Sequence, residues 1–169
     1  MGFSPVSILY VCTGNICRSP LAEAQLRQYA ARRGVAGRLD IASAGTHAWE
    51  GNAATPEAQE AARRWGLDLS GHRARAVRES ILRKSDIVLA AAREHQEWLL
   101  REFPGHENAI YLARLFPRRL RAEPPAETDI PDPIGKAVEY YAEVLRLLEP
   151  TLPDIISGVL EDVTPEGAK

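Results

Sequence analysis

The stretch VSILYVCTGNICRSPLAEAQL, residues 6–26, decides the fold. It begins with a short apolar run rich in strand-forming residues, Val6–Val11, which is typical of a strand buried in a parallel sheet. A polar turn with two cysteines follows, and Pro20 then suits the first turn of a helix. Ser19 is the expected N-cap of that helix, and Gly34 is its expected left-handed end. The stretch therefore predicts a strand, a tight turn and a helix.

Strand and helix patterns continue to alternate along the chain. We predict further strands at residues 38–43, 86–91 and 109–112, and helices at 55–65, 77–83, 94–103 and 136–149, with one or two last turns to Val163. This alternation implies an α/β fold of three layers, in which a four-stranded parallel sheet is flanked by helices. Residues 113–135 hold five of the 12 prolines and break the pattern, so we expect a long loop there that is either functional or disordered.

The composition limits the classes of protein that need to be considered. The 169 residues are expected to form one domain over positions 1–169, and a net charge of −2 argues against nucleic acid as a partner. No apolar run reaches the length of a membrane span and the first residues lack a basic leader, so we expect a cytoplasmic protein without a membrane partner. The four histidines and two cysteines show no metal-ligand spacing. No metal and no other cofactor are therefore expected.

The turn from Cys12 to Arg18 has the features of an anion-binding loop. Backbone N–H groups of residues 13–18 can point inward as a nest, and the start of the following helix adds its positive end. Gly14 is expected to supply a backbone angle that other residues avoid. The guanidinium of Arg18 can hold two oxygens of a phosphate at once. The turn therefore predicts a cradle for a tetrahedral dianion.

The same groups act on the cysteine at the start of the turn. A thiolate on Cys12 would be stabilised by the N–H donors, by Arg18 and by a hydrogen bond from the Ser19 hydroxyl. A nucleophile beside a phosphate cradle suits attack of sulfur on phosphorus. The alternative is that each cysteine is a small buried residue with only a packing role. This alternative is stronger for Cys17 than for Cys12.

Segments across most of the chain resemble one family. Val-Cys-Thr-Gly-Asn-Ile-Cys-Arg-Ser-Pro (11–20) resembles the signature of the low-molecular-weight protein tyrosine phosphatases. Ser43–Thr46 with Trp49, the segment Gly71–Arg75, and Asp132 followed by proline resemble three further blocks of that family. The resemblance runs from residue 7 to about residue 149. It implies the Rossmann-like phosphatase fold and hydrolysis of a phosphate monoester without a cofactor.

The resemblance also implies catalytic roles for three residues. Cys12 is the nucleophile that forms a cysteinyl-phosphate, and Arg18 is the phosphate clamp. Asp132 is the acid that protonates the leaving oxygen and then the base that activates water. Considered without the resemblance, an aspartate before proline favours an ordinary turn, and Asp129 is a second, weaker candidate for the acid.

Supporting roles follow from the same resemblance. Asn15, Ser43 and His72 correspond to a hydrogen-bonding set that holds the loop in its shape. Cys17 is expected to form a reversible disulfide with Cys12, which would protect the nucleophile from overoxidation. The residues expected to contact phosphate or substrate are Thr13, Gly14, Asn15, Ile16, Cys17, Ser19 and Trp49.

The substrate is expected to be a phosphorylated protein or a small aryl phosphate, with inorganic phosphate as a product. Ile16 and Trp49 favour phosphotyrosine, since both could border a phenol ring. The alternative within the family is a protein-arginine phosphatase. Those enzymes resemble this chain at Asp132-Pro-Ile-Gly135. At this place the chain lacks the paired tyrosines of the animal phosphatases of the family. They tend, however, to have threonine at the position of Ile16.

Two further alternatives are disfavoured. Arsenate reductases of this fold use additional downstream cysteines, and the chain has none after Cys17. A non-enzymatic phosphate-binding or redox-sensing module would not need Cys12, Arg18, Ser19 and Asp132 together.

Two features outside the loop complete the expectations. Ala92 stands where many relatives have an acidic residue, so support of the loop from that position is in doubt. Tyr140 and Tyr141 lie on a predicted amphipathic helix, and at least one of them is expected in the core.

Overall fold

The computed structural model describes residues 4–117 and 127–161. Its four strands are β1 (Val6–Cys12), β2 (Leu39–Gly45), β3 (Ile87–Ala90) and β4 (Ile110–Leu112). They form one sheet in the order β2-β1-β3-β4, and all three pairings are parallel. The predicted four-stranded parallel sheet is confirmed.

The helices cover both faces of this sheet. They are α1 (Arg18–Arg32), α2 (Pro56–Arg64), α3 (Glu79–Leu82), α4 (Arg93–Glu102), α5 (Val138–Leu148) and α6 (Leu152–Glu161). One hydrophobic cluster joins the sheet to α1, α2, α5 and α6, and a second joins it to α3 and α4. The three-layer α/β class is therefore confirmed.

Strand β1 explains why its sequence reads as a continuous apolar run. Ile8 and Tyr10 belong to the cluster on the α1 side, whereas Leu9 and Val11 belong to the cluster on the α4 side. Because neighbouring strands flank it and helices cover both its faces, apolar residues are needed at successive positions rather than at alternate ones. The central position of β1 places the turn that follows it in the middle of the sheet edge.

Two expectations about the ends of helices have different outcomes. Gly34, just after α1, has a φ of 70°, so the predicted left-handed stop is confirmed. The prediction that Ser19 caps α1 is wrong, because the helix already begins at Arg18 and its N-cap is Cys17. The Ser19 hydroxyl lies against the sulfur of Cys12 instead, and a hydroxyl engaged there is not available to cap the helix.

The C-terminal part follows the predicted break at its prolines. Helix α5 ends at Leu148, a 3₁₀ turn over Glu149–Thr151 contains Pro150, and α6 then begins. Val163, where the last turns were predicted to end, lies outside the described residues.

In α5 the Tyr141 side chain is 1% exposed and Tyr140 is 55% exposed. The expectation that at least one of them is in the core is confirmed.

Within residues 4–117 and 127–161, no helix has both the length and the apolar composition that crossing a membrane would require.

The end of β2 approaches the loop after β1 very closely. Thr46 and His47 donate their backbone N–H groups to the carbonyl oxygens of Cys12 and Thr13, both at 2.9 Å. A Cβ atom on Gly45 would lie 2.4 Å from the Thr13 carbonyl oxygen and 2.9 Å from the Asn15 nitrogen. Only glycine fits at this position, because any side chain would overlap the backbone of the loop.

Gly45→Ala is expected to lower the free energy of unfolding by about 1–3 kcal/mol, because the new methyl group would push the loop away from β2. Urea unfolding followed by circular dichroism measures this change. Gly37→Ala is the matched control, since a Cβ on Gly37 meets no atom within 4 Å. We expect that control to keep or slightly raise its midpoint. Equal midpoints for the two variants would contradict the close approach.

Candidate active site

The loop of residues 12–18 lies at the topological switch point of the sheet. Cys12 is the last residue of β1 and Arg18 is the first of α1. Strand β1 lies between β2 and β3. The connection that leaves β1 leads to β2 on one side, whereas the connection that leaves β3 leads to β4 on the other side. Crevices that bind ligands form at this place in open α/β sheets, beyond the carboxyl ends of the strands.

The sulfur of Cys12 is buried and has a hydroxyl as its neighbour. Its Sγ atom lies 3.0 Å from Oγ of Ser19. The amide nitrogen of Asn15 donates to that same Oγ at 2.9 Å. The oxygen accepts from Asn15, and the hydroxyl hydrogen of Ser19 can donate either to the sulfur or to the carbonyl oxygen of Ala44, 3.4 Å away.

The unusual backbone angle in this loop belongs to Asn15. Its φ is 55°, whereas Gly14 lies outside the left-handed region. The expectation that Gly14 supplies the special angle is therefore wrong. Asparagine tolerates this conformation because its short polar side chain can form local hydrogen bonds. A Cβ on Gly14 would make only an ordinary contact, 3.4 Å from the Ile16 side chain.

Four hydrogen bonds connect Asn15 to three other segments. Its amide nitrogen donates to Oγ of Ser43 at 2.9 Å, in addition to Ser19, and its amide oxygen accepts from the backbone of Arg75 at 3.0 Å. The ring of His72 bonds the Asn15 carbonyl oxygen at 2.6 Å through Nε2. The structure thus brings Asn15, Ser43 and His72 together, as the sequence analysis expected.

Two members of this network were not found from the sequence. Ser43 donates to the Glu23 carboxylate at 2.5 Å, and the Arg75 side chain donates to the Ser43 carbonyl oxygen at 3.0 Å. Glu23 lies one helical turn after Ser19 on α1, so it shares a face with a predicted site residue. That spacing could have indicated Glu23. Arg75 lies in the Gly71–Arg75 segment that resembles a block of the family, but no role was predicted for its side chain.

The guanidinium of Arg18 is buried and held in place on three sides. Nη1 donates to the Ile130 carbonyl oxygen at 3.1 Å, and Nη2 donates to Oγ1 of Thr13 at 3.4 Å. Nη2 also lies 3.4 Å from Oδ2 of Asp132. Nε is buried and has no hydrogen-bond partner among the described residues. A buried cation with an unused donor is suited to bind an oxyanion.

The two candidate acids differ in their surroundings. The side chain of Asp132 is 46% exposed and points one carboxylate oxygen at Arg18. Asp129 accepts a 2.8 Å hydrogen bond from the backbone N–H of Arg93, the first residue of α4, and lies within ion-pair distance of its side chain. Asp129 is thus occupied at a helix terminus, and Asp132 is the acid that faces the loop.

The structure shows which residue supplies an acidic group near Ala92, where the sequence departs from many relatives. Ala92 is the N-cap of α4 and offers no side-chain acceptor. The carboxylate of Asp129, from a distant part of the chain, accepts from the next N–H group instead. The helix therefore gains its acidic partner from the loop before Asp132.

The residues expected to border the substrate lie differently. Trp49 is two residues beyond His47, in the segment bonded to the loop, and its side chain is 79% exposed. Ile16 is half-buried and packs against the hydrophobic cluster on the α1 side. Trp49 is free to contact a ligand at the surface, whereas Ile16 is held by the core.

Cys17 lies in a different environment from Cys12, although both are free cysteines. Its sulfur is 3.8 Å from Oγ1 of Thr55 and 4.0 Å from the hydroxyl of Tyr141. Burial raises the pKa of Cys17 to about 11. Cys17 is therefore a protonated thiol at neutral pH, and its pairing with Cys12 stays a prediction.

One further contact of the loop was missed by the sequence analysis. Oγ1 of Thr13 lies 2.8 Å from Nε2 of His95, which is buried in α4. The two residues are 82 positions apart. Nowhere in the described ranges are three His, Cys, Asp or Glu side chains grouped so that they could hold a metal ion.

Comparison with known proteins gives consistent matches along the chain. The model of the low molecular weight phosphotyrosine protein phosphatase family matches residues 7–165. The low molecular weight protein-tyrosine-phosphatase YfkJ of Bacillus subtilis is 34% identical over 158 residues, which cover 93% of this chain and 97% of YfkJ.

Two solved structures have the same fold. One is a cysteine-to-serine mutant of the YwlE arginine phosphatase with a phosphorylated active site serine (TM-score 0.82, 27% identity, 94% of this chain and 98% of that one). The other is a low molecular weight protein tyrosine phosphatase from T. tengcongensis (TM-score 0.79, 33% identity, 90% and 98%).

Asn15→Ala and Asn15→Gly are both expected to destabilise the protein. Each leaves polar partners of the amide unsatisfied, at about 1–3 kcal/mol for each buried group. The alanine variant should be the less stable by a further ~1–2 kcal/mol, because it must also adopt the left-handed conformation. Urea unfolding measures both differences.

The matched control for this pair is Asn52, whose backbone is not in the left-handed region. There the order should reverse, with Asn52→Gly less stable than Asn52→Ala by about 0.4–1 kcal/mol. The same order at both sites would show that the angle of Asn15 does not matter.

Proposed function

The chain belongs to the low molecular weight phosphotyrosine protein phosphatase family, and from this premise we propose that it hydrolyses phosphotyrosine in proteins through a cysteinyl-phosphate intermediate. The observation that carries the proposal is the convergence of three groups on one loop. Cys12 has a hydroxyl against its sulfur, Arg18 is buried with an unused donor, and Asp132 lies 3.4 Å from Arg18. Inorganic phosphate is the product.

In the first step, Sγ of Cys12 attacks the phosphorus atom of the substrate. A sulfur–phosphorus bond forms while the bond to the tyrosine oxygen breaks, and Asp132 gives its proton to that oxygen. Arg18 exchanges its contact with Asp132 for two phosphate oxygens, and the N–H groups of the loop hold the others. The carboxylate of Asp132 is then free to act as a base.

In the second step, water attacks the phosphorus atom from the side opposite the sulfur. Asp132 takes a proton from this water, the sulfur–phosphorus bond breaks, and the thiolate of Cys12 is regenerated. The hydroxyl of Ser19, 3.0 Å from the sulfur, stabilises the departing thiolate. The partial exposure of Asp132 supports this role, since the attacking water can reach its carboxylate from solvent.

Phosphotyrosine is the substrate class that the side chains around the loop support best. Trp49 is exposed in the segment whose backbone bonds the loop, and a phenol ring can stack on its indole. A protein-arginine phosphatase is the second candidate, because the segment after Asp132 has no tyrosine and continues with the exposed Ile134. We propose the cytoplasm as the compartment, since both cysteines are free thiols.

Cys12→Ser is expected to abolish hydrolysis of p-nitrophenyl phosphate, because a serine hydroxyl is not ionised at neutral pH. Asp132→Asn should lower kcat by about 10²–10⁴-fold for phenyl phosphate and by less for p-nitrophenyl phosphate, whose leaving group needs a proton less. Steady-state kinetics on both esters measure the difference.

Asp129→Asn is the matched control for the acid, since an amide oxygen can still accept from the first N–H group of α4. We expect this variant to retain the kcat of the wild type. Equal losses for Asp132→Asn on the two esters would argue against proton donation to the leaving group. A wild type without activity would overturn the proposed function.

The substrate class is tested with two peptides of one sequence, carrying phosphotyrosine or phosphoarginine. We expect a higher kcat/KM for phosphotyrosine, and we expect Ile16→Thr to reduce that preference by making the loop more polar. Ile81→Thr is the matched control, because Ile81 is also half-buried but packs in the cluster on the other side of the sheet. A wild-type preference for phosphoarginine would establish the second candidate.

A further inference from the structure

A buried histidine that the proposed mechanism does not use lies directly behind the loop. His95 belongs to α4, and its Nε2 atom is 2.8 Å from Oγ1 of Thr13. Either ring tautomer can form this bond, since Nε2 accepts from the hydroxyl in one and donates to it in the other. The bond therefore holds the Thr13 oxygen at a fixed position in both cases.

The Thr13 hydroxyl has a second partner on its other side. Nη2 of Arg18 donates to the same oxygen at 3.4 Å. A guanidinium can only donate, so Oγ1 of Thr13 is an acceptor for Arg18 whichever role His95 takes. A chain of contacts thus runs from His95 through Thr13 to Arg18.

Helix α4 also supports the guanidinium by a second route. Nη1 of Arg18 donates to the carbonyl oxygen of Ile130, and the N–H group of Ile130 donates to the carbonyl oxygen of Ala91 at 2.8 Å. Ala91 directly precedes the N-cap of α4. Two of the three groups that hold Arg18 are therefore anchored at the start of this helix, while the third, Asp132, must move during the reaction.

The histidine ring is neutral at ordinary pH. Burial, and then the positive charge of Arg18, lowers the pKa of His95 to about 4. The other charged or titratable groups that face the ring are Asp132, Asp129, His47 and Glu94. A neutral ring adds no charge beside Arg18, so its effect on the loop is one of geometry.

We propose that His95 is a positioning residue of the phosphatase: it fixes the Thr13 hydroxyl and, through it, the orientation in which Arg18 meets the phosphate. The inference rests on the proposed function. It extends the site to a residue 82 positions from Thr13 that makes no contact with the reacting atoms. The guanidinium must present two donors in one plane to two oxygens, and a tilt of this plane would weaken both contacts.

A pair of substitutions separates positioning from packing. Glutamine places its terminal amide near the position of Nε2 and can still bond Thr13, whereas the amide of asparagine ends near Nδ1 and cannot reach. His95→Asn is expected to lower kcat/KM for p-nitrophenyl phosphate by roughly 10–100-fold, and His95→Gln should restore most of that loss. Both variants put a similar amide in the core, so equal activities would indicate packing alone and overturn the proposal.

The relay through Thr13 is tested by combining substitutions. If His95 acts through Thr13, the double variant of Thr13→Val and His95→Asn should be no more than about twofold worse than the poorer single variant. A loss equal to the product of the two single losses would overturn the relay. His106→Asn is the matched control, since His106 bonds Glu79 far from the loop and should leave kcat/KM unchanged.

Binding of inorganic phosphate, measured by calorimetry, gives a readout that does not depend on turnover. His95→Asn should weaken phosphate binding, and His95→Gln should weaken it less. Phosphate affinity equal to that of the wild type in His95→Asn would overturn the positioning role even if activity falls. An inactive wild type whose phosphate affinity still follows this order would overturn the proposed function and leave the positioning role supported.

Discussion

The left-handed backbone of Asn15 is the constraint on which the site depends. A left-handed residue other than glycine costs roughly 1–2 kcal/mol. The Asn15 side chain makes three hydrogen bonds, to Ser19, Ser43 and the backbone of Arg75. Each contributes about 0.5–1.5 kcal/mol net, so together they outweigh the strain. The conformation is thus stabilised by α1, by β2 and by the segment after α2 rather than by the loop itself.

The same network sets the surroundings of the Cys12 sulfur, the proposed nucleophile. The amide of Asn15 occupies a lone pair of the Ser19 oxygen, and the hydroxyl hydrogen can then donate to the sulfur of Cys12, the nearer of its two acceptors. Cys17, five positions further on, has weaker partners at 3.8 and 4.0 Å and a pKa raised by burial to about 11. The two cysteines of one loop therefore have different surroundings, since a hydroxyl lies 3.0 Å from the Cys12 sulfur and none of the described residues places one so close to the Cys17 sulfur.

The parts of the molecule that were predicted correctly are those encoded by neighbouring residues. The apolar run of β1 and the glycine after α1 are local signals, and both were confirmed. Two local assignments were wrong: the left-handed residue is Asn15 rather than Gly14, and the Ser19 hydroxyl lies against the Cys12 sulfur rather than capping α1. The contact between Thr13 and His95 joins residues 82 positions apart, and no periodicity connects them. Sequence patterns specify the elements, whereas the packing of the sheet decides which side chains meet.

The charge of Arg18 links the fold to the ligand it is proposed to bind. A buried cation is unfavourable unless it is paired, and the carboxylate beside it is nearly half exposed, so solvent screens much of that attraction. One donor of the guanidinium, Nε, is left without a partner among the residues described. A phosphate dianion would accept a hydrogen bond from this donor and supply negative charge beside the guanidinium. Water at a buried position would compensate the charge less well. A buried guanidinium that is incompletely paired is expected to cost stability, and Arg18 is also the group that we propose binds phosphate, so phosphate binding should stabilise the fold.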